Sequence, residues 1–469
     1  MQSEIQAQDK SQIDVDPITK EGKRPIHFAA ENGHVHIVIM LINAGAAVNG
    51  CLGTSSPPMY SAIKGGHKKV VTLLLSAGAS PSERDSNGQT PLHFAAYLGH
   101  QDILSLLISL GVNVRSRNIL GRTALYEAAV QGHKEIVSLL ISARSDVNQG
   151  DNEGYTPLYV SAMEGHSDIM EMLILAGATD KPIGPDRESS LHIAVERGHV
   201  AAVCLLISKR RANIHLSNAM GQRPLDVAIN NGHKEIVQVL ISKGVNLNRG
   251  SEVRSKFRRL HLRSGQTPLF IAAQRSEAEI VSLLINAGAD VNQADRCGRT
   301  PIFNAAMAGC MDVIVLLISK GANVNLSDNN GWTPLHCAAK GAHIEVFSFL
   351  LSKGAEVNHV DKFGQSLQYI AAAGGQKDIV SYLIQAGANV NQTTTEGRIS
   401  LHAAAQNGHK DVVKLLISSN ACVNQVDEDQ YAPIHCAALG GFGDIVQMLI
   451  SAKANESLTN IVAHCIKKC

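Results

Sequence analysis

The chain of 469 residues repeats itself, and this repetition limits its possible folds more than any other feature. Aligned on the proline of the TPLH motif, anchor positions recur every 33 or 34 residues, with one interval of 44 residues. The chain is therefore predicted to be an array of thirteen copies of one unit, which we number repeats 1 to 13. The anchors are Pro25, Pro58, Pro91, Ala124, Pro157, Ser190, Pro224, Pro268, Pro301, Pro334, Leu367, Ser400 and Pro433.

Repeat 3 has the signals of two short helices followed by a finger. Thr90 can cap the first helix, Pro91 suits its first position because proline has no N–H to leave unpaired, and Gly99 can end it. The apolar run DILSLLI predicts a second helix, which Gly111 ends. An extended finger follows and turns at the next NxxG. Such a unit cannot bury its apolar faces alone, so neighbouring copies must stack.

The recurring TPLHFAA, GH and VN segments resemble the ankyrin repeat. The resemblance extends over about residues 20–458. It implies an all-α ankyrin-repeat solenoid of stacked helix-turn-helix units with β-hairpin fingers. Repeat 6 (DRESSLHIAVERGH) lacks the finger glycine and the proline, and repeat 11 (GQSLQYIAAAGGQ) lacks the proline and the histidine. We expect altered or weaker fingers in these two repeats.

The two ends and the long interval divide the chain into five segments. Residues 1–19 are polar, and we expect them to be only partly ordered. Repeats 1–7 occupy residues 20–250, a basic insertion occupies residues 251–261, and repeats 8–13 occupy residues 262–457. In residues 458–469 the apolar side chains share one helical face, which predicts a C-terminal capping helix.

Composition favours a soluble intracellular protein. Aromatic residues are only 4% of the chain, so small and aliphatic side chains must fill the core. The formal net charge of +1 gives no reason to expect binding to nucleic acid or to an anionic membrane. The nine cysteines form no CxxC pair, which is typical of a reduced cytoplasmic or nuclear protein. No apolar run approaches the roughly 18 residues of a membrane span.

Histidine is frequent, but its positions follow the repeat. Fifteen of the twenty histidines occupy the TPLH or GH positions, which the resemblance implies are structural. The others lack the spacing of zinc ligands. The glycines lie at turns and fingers, without a phosphate-binding GxxxxGK[ST] or strand-linked GxGxxG motif. We therefore predict no enzymatic activity, no metal and no cofactor.

Residues that build an array recur between repeats, whereas residues that bind a partner need not. Five positions of each repeat vary. Three lie on the finger, at five, four and two residues before the anchor, and two lie at the end of the first helix, six and seven residues after it. In ankyrin repeats these positions line a concave face that commonly binds proteins. In repeats 3–5 they hold large apolar side chains, the apolar surface: Tyr97, Leu98, Ile119, Leu120, Tyr155 and Met163.

The variable positions of repeats 8–11 hold arginines and the only tryptophan. Tryptophan and arginine are frequent hot-spot residues at protein interfaces. This arginine–aromatic surface consists of Arg275, Arg296, Arg299, Met307, Trp332 and Phe363. Two interpretations of the tryptophan stay open: its ring contacts a partner, or it lies on the adjacent finger or first helix.

The 44-residue interval between repeats 7 and 8 contains the insertion SEVRSKFRRLH. It predicts a basic finger suited to an acidic or phosphorylated peptide or an anionic lipid headgroup. The alternative is a tolerated surface insertion, because loops absorb added length at little thermodynamic cost. The basic finger comprises Arg254, Lys256, Arg258, Arg259 and Arg263.

These features predict a non-catalytic scaffold or adaptor. We expect a monomer that binds one or more partner proteins on the surface formed by the fingers and first helices. Two alternatives stay open. One is a substrate-targeting subunit of a ligase or phosphatase complex, and the other is a binder of anionic ligands through the basic finger.

Overall fold

The structure is a computed structural model, and it describes residues 15–20, 22–49, 56–209, 212–251 and 265–453. Most of the predicted polar N-terminal segment lies outside these residues. Nearly all of the predicted basic insertion and the whole predicted C-terminal capping helix also lie outside them.

The chain folds into two compact units, divided between Ala219 and Met220, with repeats 1–6 in the first unit and repeats 7–13 in the second. Every repeat contributes two helices to the described residues, and the fold is all-α, as the resemblance implies. The first helices are Pro25–Glu31, Pro58–Lys64, Pro91–Leu98, Ala124–Gln131, Pro157–Glu164, Ser190–Glu196, Pro224–Asn230, Pro268–Gln274, Pro301–Ala308, Pro334–Lys340, Leu367–Ala373, Ser400–Gln406 and Pro433–Leu439. The second helices are Val35–Asn43, Lys68–Ser76, Gln101–Ser109, Lys134–Ser142, Ser167–Leu175, Val200–Ser208, Lys234–Ser242, Ala278–Asn286, Met311–Ser319, Ile344–Ser352, Lys377–Gln385, Lys410–Ser418 and Gly443–Ser451.

The first helix begins and ends where the sequence signals place it. In repeat 3, Thr90 is the N-cap residue with extended backbone geometry, and Pro91 occupies the first helical position. Gly99 ends the helix with a φ of +85°, a left-handed conformation that favours glycine. A Cβ on Gly99 would also lie 2.7 Å from the ring of His133 in the next repeat. Backbone conformation and close packing therefore both require glycine here.

The core of each compact unit is formed by side chains from both helices of every repeat. In repeat 3, Ala95 and Ala96 of the first helix and Leu104 and Leu107 of the second are fully buried. Within a unit, consecutive first helices contact each other, as do consecutive second helices. The small alanine side chains allow this close approach, so the stack is well packed despite the scarcity of aromatic residues.

Histidines at the GH position connect consecutive repeats. Nε2 of His133 donates to the carbonyl oxygen of Tyr97, near the end of the preceding first helix, over 3.0 Å. The same contact recurs at five other GH histidines. In repeat 11, which lacks this histidine, the side-chain amide of Gln376 donates to the carbonyl oxygen of Lys340 over 3.0 Å. The GH position therefore has the structural role that the sequence predicts.

The six histidines at the TPLH position are buried. The backbone N–H of Thr90 donates to Nδ1 of His93 over 3.2 Å. Nε2 of His93 therefore carries the proton and donates to the carbonyl oxygen of Arg122 in the next repeat over 3.0 Å. Burial lowers the pKa of His93 below its usual value, and it lowers the pKa of His336 to about 3.

Seven of the described fingers are tight turns held by one side chain. In repeat 11, Oδ1 of Asp361 accepts hydrogen bonds from the backbone N–H groups of Phe363, at 2.9 Å, and Gln365, at 2.8 Å. The fingers differ from the predicted β-hairpins because this carboxylate bonds the N–H groups at the turn, and the described residues contain only two isolated β-bridges. The same position, six residues before the anchor, makes the same bonds at Asp85, Asn118, Asp151, Asp295, Asp328 and Asp427.

Repeat 6 has an altered finger, as its sequence predicts. Its turn lacks the usual aspartate, and Ile183 instead pairs with Glu188 in a β-bridge. Oδ1 of Asp180 accepts from the backbone N–H of Ser190 over 2.6 Å, at the first residue of the helix. Repeat 11 keeps its turn aspartate, Asp361, although the anchor proline is missing. Its finger is also altered, because it carries the second isolated β-bridge, between Val360 and Ser366.

Candidate partner-binding surfaces

The apolar surface presents three strongly exposed large side chains. Ile119 and Leu120 form the tip of the repeat 4 finger and are 62% and 52% exposed. Tyr97 lies in the last turn of the first helix of repeat 3 and is 45% exposed. These residues occupy the variable positions five and four residues before the anchor and six residues after it. The structure therefore brings apolar area to the solvent where the sequence predicts a surface.

Backbone hydrogen bonds to both neighbouring fingers hold this tip in place. The N–H of Ile119 donates to the carbonyl oxygen of Asn87 over 3.1 Å, and the N–H of Asn152 donates to that of Leu120 over 2.9 Å. The side-chain amide of Asn152 also donates to the carbonyl oxygen of Ile119 over 2.8 Å. The two exposed side chains thus project from a backbone whose polar groups are already bonded.

The other three residues of the apolar surface are half-buried. The ring of Tyr155 packs against that of Tyr159, with the ring centroids 4.7 Å apart. Met163 and Leu98 lie at the ends of their first helices, where the carbonyl oxygen of Met163 accepts from Nε2 of His199 over 3.0 Å. They offer less area to a partner than the fingertip does.

The arginine–aromatic surface is exposed at four of its six residues. Met307, at the end of the first helix of repeat 9, is 46% exposed, and Phe363, at the tip of the repeat 11 finger, is 59% exposed. Arg275 and Arg296 are also exposed. Its two remaining residues, both two positions before an anchor, behave differently.

Trp332 is bound within the chain. Its indole Nε1–H donates to Oδ2 of Asp361 on the next finger over 3.1 Å. Its ring centroid lies 6.0 Å from that of His336, and the ammonium of Lys340 lies 4.9 Å from the ring centroid. The ring therefore lies on the adjacent finger and on its own first helix, which is the second of the two interpretations above. Trp332 joins repeats 10 and 11.

Arg299 is also bound to a finger carboxylate. Its Nε and Nη2 donate to Oδ2 of Asp295 over 2.9 and 2.6 Å, and its guanidinium lies 5.6 Å from the ring centroid of Phe270. At the same position in repeat 12, Nε of Arg398 donates to Oδ2 of Asp427 on the next finger over 3.0 Å. The position two residues before the anchor thus has a structural role in several repeats.

Two kinds of residue beside these surfaces were missed by the sequence reasoning. One is the turn aspartate, which its recurrence six residues before the anchor could have revealed. The other is a pair of exposed arginines, Arg84 and Arg117, seven residues before the anchors of repeats 3 and 4. Arginine occurs at that position in no other repeat, and this was the available signal.

The predicted basic finger lies almost wholly outside the described residues, and only its stem can be placed. The N–H of Ser251 donates to the carbonyl oxygen of Gln266 over 2.9 Å, and the N–H of Gly265 donates to that of Ser251 over 2.8 Å. The insertion therefore leaves and re-enters its repeat across a bonded stem. The basic residues outside the described part are Arg254, Lys256, Arg258, Arg259 and Arg263.

The part of the chain that the structure describes has no group of three or more His, Cys, Asp or Glu residues placed to hold a metal ion. Burial raises the pKa of the thiols of Cys337 and Cys436, which keeps them protonated and poorly nucleophilic. No helix in that part is both long and apolar enough to cross a membrane.

The comparison with protein families agrees with the fold. A model described as ankyrin repeats (many copies) matches residues 340–384. A model described as ankyrin repeats (3 copies) matches residues 5–85, 26–118, 110–183, 176–251, 250–328, 269–361 and 367–460. Because these matches span nearly the whole chain, it belongs to the ankyrin repeat family, whose repeats form protein–protein interaction modules. No curated protein matches the chain.

Proposed function

We propose that the chain is a non-catalytic scaffold or adaptor that binds partner proteins on its fingers and first helices, with the apolar surface as the main site. The fingertip of repeat 4 supports this proposal most directly. Ile119 and Leu120 are 62% and 52% exposed at positions where stacking requires no large apolar side chain. Burying their exposed area against a partner would contribute about 1 to 1.5 kcal/mol for each side chain, roughly half the value for a fully exposed one.

The fixed backbone of this fingertip also favours binding. The hydrogen bonds from Ile119 to Asn87 and from Asn152 to Leu120 order the tip before a partner arrives. A partner that docks there loses little of its binding free energy to ordering the finger. The exposed ring of Tyr97 on the neighbouring first helix adds an aromatic side chain of the kind enriched at interfaces.

The arginine–aromatic surface is proposed as a second, weaker site. Met307 and Phe363 supply exposed apolar area, and Arg275 and Arg296 supply exposed guanidinium groups. Trp332 and Arg299 contribute mainly by holding this surface in shape. A partner at this site therefore has fewer large side chains to bury than a partner at the apolar surface.

The cytoplasm or the nucleus is the compartment proposed for this activity. Cys204, Cys297, Cys310, Cys337, Cys422 and Cys436 are free thiols, as in proteins of reducing compartments. A substrate-targeting role in a ligase or phosphatase complex is an extension of the same proposal. It requires that a catalytic subunit co-purify with the chain.

The test is affinity capture with the full chain, its Ile119→Ser plus Leu120→Ser variant, and a matched control. The control is Leu110→Ser plus Leu175→Ser, which removes two leucines, 52% and 73% exposed, at the C-terminal ends of second helices. We expect the fingertip variant to capture about tenfold less partner protein and the control to capture the normal amount. Equal capture by the fingertip variant, with unchanged thermal melts, would exclude the apolar surface as the main site.

A further inference from the structure

Arg84 and Arg117 make parallel contacts on the fingers of repeats 3 and 4. Nη1 of Arg84 donates to the carbonyl oxygen of Gly88 on its own finger over 2.6 Å and to that of Arg117 over 2.7 Å. Nε of Arg117 donates to the carbonyl oxygen of Gly121 on its own finger over 2.8 Å, and its Nη2 donates to that of Gly150 over 3.3 Å. Each guanidinium thus bridges its own finger and the next one.

These contacts fix the arginines without neutralising their charge. Their bonded acceptors are backbone carbonyl oxygens and the side-chain oxygen of Asn152. Within the described ranges, neither Arg84 nor Arg117 has a carboxylate within ion-pair distance, unlike Arg299 and Arg398. With respect to the described residues, Arg84 bonds only through Nη1, which leaves its Nε–H and one Nη2–H as a pair of parallel donors to a carboxylate.

The same fingers carry the exposed aliphatic tip. Ile119 follows Arg117 by two residues on one finger, and its N–H is bonded to Asn87 on the finger that carries Arg84. The side chain of Ile119 lies over Gly88, because a Cβ added to Gly88 would be 3.0 Å from Cγ2 of Ile119. Two fixed positive charges and two exposed aliphatic side chains are therefore presented together by two adjacent fingers.

We propose that this pair of fingers binds an extended partner segment in which apolar side chains are flanked by carboxylates. The proposal rests on the proposed function and names the chemistry of its partner. The apolar side chains pack on Ile119 and Leu120, while the carboxylates accept hydrogen bonds from Arg84 and Arg117. A peptide fits better than a membrane surface, because two guanidinium groups are fewer than the roughly four to eight clustered basic side chains of a typical anionic-lipid site. The free Nε–H and Nη2–H of Arg84 can instead bind one carboxylate, and the unbonded Nη1 of Arg117 can donate to a second.

The test uses synthetic peptides and the full chain. The first peptide alternates glutamate with leucine and phenylalanine, the second replaces its glutamates by lysine, and the third replaces its apolar residues by serine. We expect the first peptide to bind about tenfold more tightly than the others, measured by fluorescence anisotropy. We expect a comparable loss of its binding on Arg84→Gln plus Arg117→Gln, and on Ile119→Ser plus Leu120→Ser.

The control variant is Lys68→Gln plus Lys69→Gln, which removes the same charge from exposed positions on the second helix of repeat 2. It should bind the first peptide normally, and melts should show that all variants are folded. Normal binding by the arginine variant, or equal binding of the lysine peptide, would overturn the proposal. If only the serine variant at the fingertip loses binding, the apolar surface is supported as a binding site, and its proposed selectivity for carboxylates is contradicted. Arginine-dependent binding to phosphatidylserine vesicles, without binding to the first peptide, would overturn it in favour of a lipid.

Discussion

The apolar surface and the arginine–aromatic surface occupy the same positions of the repeat, yet their side chains have different roles. At the first, Ile119 and Leu120 project into solvent from a bonded fingertip. At the second, Trp332 and Arg299 bond the finger carboxylates of Asp361 and Asp295. A large or charged side chain at a variable position is therefore not by itself evidence of a partner.

The difference follows from distance to the turn aspartate. Two residues before the anchor, a side chain with an N–H donor can reach Oδ2 of its own or the next turn aspartate, as those of Arg299 and Trp332 do. Ile119 and Leu120, at the fingertip, have no donor in their side chains and are exposed. Donor chemistry and position together separate structural residues from candidate binding residues.

The largest expected effect comes from Asp361→Ala. This 5% exposed carboxylate accepts hydrogen bonds from Phe363, Gln365 and Trp332. Its loss leaves three donors without their partner and should lower the free energy of unfolding by about 3 kcal/mol, measured by urea denaturation.

The matched change in the apolar surface is Asn118→Ala. The side-chain oxygen of Asn118 accepts from the backbone N–H groups of Leu120 and Arg122 but binds no indole. We therefore expect Asn118→Ala to lower the free energy of unfolding by about 2 kcal/mol. A loss for Asp361→Ala no larger than that for the exposed fingertip change Glu153→Ala would contradict the structural role of the arginine–aromatic fingers.

Acid should act in opposite directions on the first helix of repeat 10 and the first helix of repeat 4. Burial and the neighbouring His359 hold the pKa of His336 at about 3, whereas an unfolded histidine takes up a proton near its ordinary value of 6.5. The unfolded chain therefore binds more protons between these values. Stability from His336 is complete above about pH 6.5 and falls by about 1.4 kcal/mol for each pH unit below it.

Repeat 4 has Tyr126 where repeat 10 has His336, and burial raises the pKa of the adjacent Glu127. A carboxyl with a raised folded pKa binds its proton more readily in the folded state, so acid should not weaken this helix through Glu127. Hydrogen exchange between about pH 7 and pH 4.5 should show loss of protection in Pro334–Lys340 and not in Ala124–Gln131. His336→Gln should remove much of that pH dependence, and an equal acid response of both helices would contradict the assignment.

The smallest expected effect comes from Trp332→Phe. Phenylalanine retains a ring against His336 but cannot donate to Asp361, so the free energy of unfolding should fall by about 1 kcal/mol. Leu120→Ser, at an exposed fingertip, should change it by less than about 0.5 kcal/mol. If Leu120→Ser proved the more destabilising of the two in thermal melts, the comparison between the surfaces would be reversed.

Much of the fold could be predicted from the sequence, because its signals are local and repeated thirteen times. Thr90, Pro91 and Gly99 begin and end a helix where the motif places them. The roles of the histidines also follow from their recurrence. The conformation of the fingers was harder to predict from the sequence, because the turn aspartate competes with a strand ladder for the same backbone N–H groups.

For the candidate site, the sequence identified the positions and the exposed residues Tyr97, Ile119 and Leu120. The sequence could not show that these residues are exposed while Trp332 is bound within the chain. The ring of Trp332 is placed by a contact with Asp361, 29 residues away on the next finger. The sequence also provided no reason to combine Arg84 with Arg117, whose contact joins residues 33 positions apart.

The sequence by itself determined the repeat unit, the number of repeats, the helix ends and the absence of recognisable catalytic motifs. Each of these rests on residues close together in the chain. Only the tertiary structure decided which variable side chains bond the neighbouring finger and which remain exposed. That choice depends on where stacking places the donors of one repeat relative to the carboxylates of the next. It leaves Ile119 and Leu120 exposed between two arginines whose charges are not neutralised by a carboxylate in the described chain.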